Sequence, residues 1–143
     1  MKTLLKILSF CIVSNIALAQ SIENTIDTFF DGMHTADTSK IQSVISPQLS
    51  LQTIIIKPNQ ASKYRIEDKN DFLKAIAKKN PELVLEEKIL SKEIKIDDDL
   101  AIVWAPYEFY VNQKLSHKGT NVFTLVRLNQ KWTITSIIDT RKK

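Results

Sequence analysis

WAPYEFYVNQKLSHKGTNVFTLVRLNQKWTITSIIDTR, residues 104–141, decides how this chain is read. Its three runs alternate residue type with a period of two, the repeat of a strand with one face turned inward. Polar tips at Asn112-Gln113-Lys114 and Asn129-Gln130 separate the runs, so the segment predicts an antiparallel meander. Nearly all the aromatic, histidine and buried-charge candidates fall within it, and one of its faces is expected to be a pocket wall.

Upstream the period changes. Ile22, Ile26, Phe29, Phe30 and Met33 recur at helical spacing and predict an amphipathic helix from about Ile22 to Thr35. Asp37 or Thr38 can cap a short second helix carrying Ile41, Val44 and Ile45, which ends before Pro47 because the residue preceding proline avoids helical geometry. LSLQTIII, from Leu49 to Ile56, reads as the first strand, and the polar KPNQASK after it as a loop. Asn70 and Asp71 open a third helix through Phe72, Leu73, Ile76 and Ala77, which Asn80-Pro81 stops. A strand-like pattern bent near Ser91 runs from Glu82 to Asp97, and Asp97-Asp98-Asp99 turns it into Leu100 to Val111. Helices first and antiparallel strands last is the order of an α+β domain with helices on one face of a sheet.

The N-terminus MKTLLKILSFCIVSNIALAQ has the form of a secretory signal: Lys2 and Lys6, an apolar run, then Ala17-Leu18-Ala19. The run from Ile7 to Ala19 is shorter than the roughly 20 apolar residues of a membrane span. Phe10 before Cys11 does not suit lipoprotein processing. Residues 1–19 are therefore expected to be a signal peptide and 20–143 one exported domain, periplasmic or secreted, with no membrane association after cleavage. Cleavage removes the sole cysteine, so the fold relies on its core. Losing Lys2 and Lys6 takes the basic count from 20 to 18 against 16 acidic residues, a formal charge of +2, which is no electrostatic footprint for nucleic acid.

FFDGMHTAD (29–37), VWAPYEFY (103–110), SHKGTNVFTLV (116–126) and KWTITSIIDTR (131–141) together resemble nuclear-transport-factor-2-like proteins, in particular the lumazine-binding and SnoaL-like branch. The resemblance implies a cone: N-terminal helices packed on a curved, mostly antiparallel sheet that encloses a pocket. It also implies a homodimer formed through the exposed face of the C-terminal sheet.

Glycine occurs only at Gly32 and Gly119, so the chain has no glycine-rich phosphate cradle, and the mature chain has no cysteine zinc pattern. No cofactor and no metal are expected. His117 is the leading candidate. It shares its strand parity with Gly119, Asn121 and Phe123, and the glycine leaves room beside it for a ligand. His117 then serves as general base or hydrogen-bond donor with Asn121 as orienter, or it is a hairpin-end histidine bonded to the sheet. Asp139, after Ile137-Ile138, either orients His117 as the second catalytic candidate or forms a structural ion pair with Arg141 or Arg65. Trp104, Tyr107, Phe109 and Phe123 are candidate ligand-binding rings, with Trp104 and Tyr110 on one face of their strand and Tyr107 and Phe109 on the other. His34, near the end of the first helix, is a candidate for the cavity rim.

Three functions fit these residues. The first is an exported small-molecule-binding or accessory protein with an apolar or aromatic ligand. The second is a lyase or isomerase using a His-Asp pair. The third is a dimeric protein-interaction module. The ketosteroid isomerase pattern of an aspartate base, a tyrosine and a protonated aspartate is not carried over, because LSLQTIII has no carboxylate and the first helix offers Phe29, Phe30 and His34 instead of tyrosine.

Overall fold

The computed structural model describes Leu18 and residues 21–143. The expected signal peptide and Cys11 lie outside them, apart from Leu18. Helix α1 covers 21–35. It is followed by α2 (Thr38–Gln42), β1 (Ile45–Ile56), β2 (Lys63–Glu67), α3 (Lys69–Ala77), β3 (Leu85–Ile89), β4 (Glu93–Asp97), β5 (Leu100–Val111), β6 (Lys114–Leu128) and β7 (Lys131–Lys142). Among the described residues no helix is long and apolar enough to cross a membrane.

The strands form one sheet in the order β2-β1-β7-β6-β5-β3, with β4 pairing β5 beyond β3. All pairings are antiparallel except β1 with β7. The meander exists because Asn112-Gln113 and Asn129-Gln130 both take positive φ at their two positions, the backbone of a two-residue hairpin turn whose twist matches that of the strands. Helix α1 lays Ile22, Ile26, Phe29 and Phe30 on the concave face of the sheet, where Val103, Phe123, Leu125, Trp132 and Ile134 complete the core. Gly32 lets α2 approach α1, since a Cβ there would stand 2.7 Å from Ile41 Cγ1.

Four local expectations are corrected. Pro47 lies inside β1, where the register with β7 shifts between Ile45 and Ser50, so its missing N–H leaves no ladder position vacant. Lys63, expected to end the loop, instead opens an edge strand on β1 that runs to Glu67. Helix α3 begins earlier than Asn70, because the Asp68 side chain accepts from the N–H groups of Asn70 and Asp71 and is the cap. The strand bent near Ser91 is two strands, β3 and β4, both paired to β5.

Two bulges decide which residues face the concave side. At Ser116 the β5–β6 register steps from Tyr110–Leu115 to Phe109–His117, so Leu115 is left exposed while His117 turns in. At Thr135 the β6–β7 register steps from Leu125–Ile134 to Thr124–Ser136, and the Thr135 hydroxyl donates to Thr124 O at 3.1 Å. Were Thr135 paired in an unbroken ladder, Asp139 would take the outward parity; with Thr135 bulged out, Ile134, Ile137 and Asp139 are all buried.

Candidate functional site

A cavity of about 300 Å³ opens between α1 and the concave sheet, at the lower end of the 300–1,000 Å³ usual for ligand pockets. One side is aromatic. Phe29 and Phe30 come from α1, Phe72 from α3, Phe109 from β5 and Phe123 from β6. Phe29 and Phe72 stack at 6.2 Å, and Phe29 and Phe30 both meet Phe123 edge to face.

The other side is polar and centred on Asp139. Its Oδ1 accepts from Thr53 Oγ1 at 2.5 Å, and its Oδ2 from Tyr107 Oη at 3.1 Å and Arg141 Nε at 2.9 Å. Tyr107 Oη is also 3.0 Å from Thr140 O. Burial, followed by the charges of Asp139 and Glu87, raises the Tyr107 pKa far above that of a free phenol, so the hydroxyl remains a donor. Burial works against the Arg141 cation, but Asp139 outweighs it and the guanidinium is held charged.

Glu87, on β3, completes the polar side. Asn121 Nδ2 donates to its Oε1 at 2.7 Å. Desolvation raises its pKa to about 7; the Asn121 bond opposes the shift, the Asp139 charge adds to it, and Arg141 opposes it. Glu87 is thus poised to gain or lose a proton near neutrality. The alternation of Leu85, Glu87 and Ile89 along β3 is the sequence signal that places Glu87 on the inward face.

His117, Asn121, Tyr107, Phe109, Phe123 and Asp139 all line this cavity. The remaining candidates are placed elsewhere. Trp104 is 51% exposed on the outer face of the sheet and cannot reach a ligand in the cone. His34 is not in the lining; its Nε2 accepts from the Glu87 backbone N–H at 3.2 Å, so it ties α1 to β3 from behind and helps set where Glu87 sits. Among the described residues no hydrogen bond joins His117 to Asp139, whose oxygens are taken by Thr53, Tyr107 and Arg141. The His-Asp pair is therefore not an orienting pair. His117 is held by Phe109, stacked at 4.8 Å, and by Ser116 Oγ, 3.3 Å from Nδ1. Burial and the nearby Arg141 charge lower its pKa, which favours the neutral ring. The room beside Gly119 holds no ligand either. The Thr140 carbonyl and the Tyr107 ring fill it. Among the described residues no group of three His, Cys, Asp or Glu side chains is placed to hold a metal ion.

The sequence profile of a family described as "Putative lumazine-binding" matches residues 17–137. The chain belongs to this family. Family membership agrees with the solved structures that share its fold, many of them nuclear-transport-factor-2-like proteins. One, from Shewanella baltica, is 18% identical over 88% of this chain and 94% of that one, with a TM-score of 0.62. A protein of unknown function from Mycobacterium tuberculosis is 8% identical over 91% of this chain and 75% of that one, at 0.72. A "putative dehydratase" from the nuclear-transport-factor-2-like family, from Streptomyces avermitilis, is 12% identical over 85% of this chain and 94% of that one, at 0.60. Such identities show a shared fold alone. No curated protein matches this lumazine-binding family member.

Proposed function

We propose that this lumazine-binding family member is an exported protein whose cone binds a small apolar or aromatic molecule without turning it over. The observation that supports this best is the division of the cavity into a wall of phenylalanines and a polar wall organised around the Asp139 carboxylate. Thr53, Tyr107 and Arg141 all serve Asp139, an arrangement that holds a pocket in shape and leaves few groups free to move protons through a reaction. Protein purified from its native host should carry a molecule identifiable by mass spectrometry after denaturation. His117→Ala should weaken binding of that molecule at least tenfold while changing stability by no more than about 1 kcal/mol. Unchanged affinity with a loss of several kcal/mol would place His117 in the scaffold and count against the site.

One observation favours a second reading, a lyase or isomerase. Glu87, with its pKa near 7, has the property of a general acid or base, and it replaces the His117-Asp139 pair in that role. The dehydratase named for the Streptomyces structure has the chemistry such a group would serve. Turnover of the co-purified molecule that disappears in Glu87→Gln would establish this reading over simple binding.

Export and dimerisation complete the proposal. Across the outer sheet face Trp104, Val122 and Ile138 lie in register, and Ile102 and Trp104 are 41% and 51% exposed. An apolar row of this kind favours self-association. Protein recovered from outside the cytoplasm should begin at Gln20 by intact mass and sediment as a dimer at micromolar concentration. A mass that retains Met1, or a clean monomer, would refute the respective part.

A further inference from the structure

Within the polar wall the charges are not balanced. Asp139 has Arg141 as its cation, at 2.9 Å. Glu87 has none: its Oε1 takes the neutral Asn121 amide, and among the described residues no protein donor reaches Oε2. Glu67, at the end of β2, adds a third carboxylate to the lining. The cavity is therefore acidic in a chain whose formal charge is +4. The groups that face Glu87 do not alter this. Asp139 and Arg141 on β7 cancel, Tyr107 on β5 and His117 on β6 are held neutral, and His34 on α1 contacts only the Glu87 backbone. Glu87 is half-buried, and a carboxyl that lines the cavity with one oxygen open and no counter-charge invites a ligand that supplies the missing charge. The opposite wall of phenylalanines suits the apolar or aromatic body of such a ligand.

We propose that the cone takes an organic cation, a protonated amine or similar group on an apolar or aromatic body, with Glu87 Oε2 as its counter-ion. The inference rests on the binding function above and narrows its ligand class to one charge. A carboxylate or phosphate ligand is disfavoured, because the Arg141 charge is offset by Asp139 and Glu87 would repel the anion.

Three probes of nearly equal shape test it by calorimetric titration: 2-phenylethylammonium, 2-phenylethanol and 3-phenylpropanoate. The ammonium should bind most tightly, and the propanoate most weakly. Because Glu87 titrates at about 7 and the cation needs its ionised form, ammonium affinity should rise about tenfold from pH 6 to pH 8, whereas phenylethanol affinity should stay level. Glu87→Gln should remove both the pH dependence and at least tenfold of the ammonium affinity, leaving phenylethanol within about twofold; the wild-type pH series stands alone if that variant fails to fold. Equal or tighter binding of the alcohol or the propanoate by the wild-type protein overturns the cation assignment and leaves the binding pocket standing. Failure of all three to bind at millimolar concentration overturns both.

Discussion

Gly119→Ala is expected to destabilise the protein by about 3 kcal/mol or more, a large effect for one methyl group. A Cβ at this position would stand 1.6 Å from Thr140 O, 2.7 Å from Thr140 C and 3.0 Å from Tyr107 Cε1. The first two atoms belong to the backbone of β7, paired to β6 on both sides of the contact, so they cannot swing away as a side-chain tip would. Relief requires parting the two strands and shifting the Tyr107 ring off the glycine as well. That shift withdraws the phenol from Asp139 and Thr140. Urea unfolding measures the loss. A change below 1 kcal/mol would show that β6 and β7 do not approach this closely.

Asp139→Ala should cost about 3 kcal/mol. Removing one member of a buried charged network typically costs about 3–5 kcal/mol, because the partners are left unpaired. Here the low end applies: the Arg141 side chain is 47% exposed and water can take over its solvation. Most of the penalty falls on the Thr53 hydroxyl, worth about 1–3 kcal/mol when orphaned in a buried site, and less on Tyr107, whose hydroxyl can still donate to Thr140 O. Adding Tyr107→Phe to Asp139→Ala should cost less than Tyr107→Phe alone, and a double-mutant cycle reads this directly. Strict additivity would mean that the phenol gains nothing from the carboxylate.

Much of the site was legible in residue types. Tyr107 and Phe109 fall on the concave face and Trp104 and Tyr110 on the other, as alternation along β5 requires. The parity of His117, Asn121 and Phe123 follows in the same way, since no bulge interrupts β6 between them. Trp104 was nevertheless included among the ligand-binding candidates because an aromatic residue is equally at home in a pocket or on an exposed face, and composition does not distinguish them. A glutamate in a short alternating strand usually faces water; only the curved sheet, which brings Asn121, Asp139 and Arg141 near Glu87, shows that this one does not.

The sequence by itself determined the element types, the α+β order, the hairpin turns and the lumazine-binding family, because these depend on local periodicity, turn chemistry and motifs carried by neighbouring residues. The tertiary structure decided the partnerships. Asp139 belongs to Thr53, 86 residues away, and Tyr107, as well as to adjacent Arg141, and not to His117. Its inward direction depends on a one-residue bulge at Thr135, and the space at Gly119 is taken by a neighbouring strand. Register and close approach between distant strands are set by the packing of the whole sheet, so no local pattern records which buried carboxylate meets a cation and which is left without one.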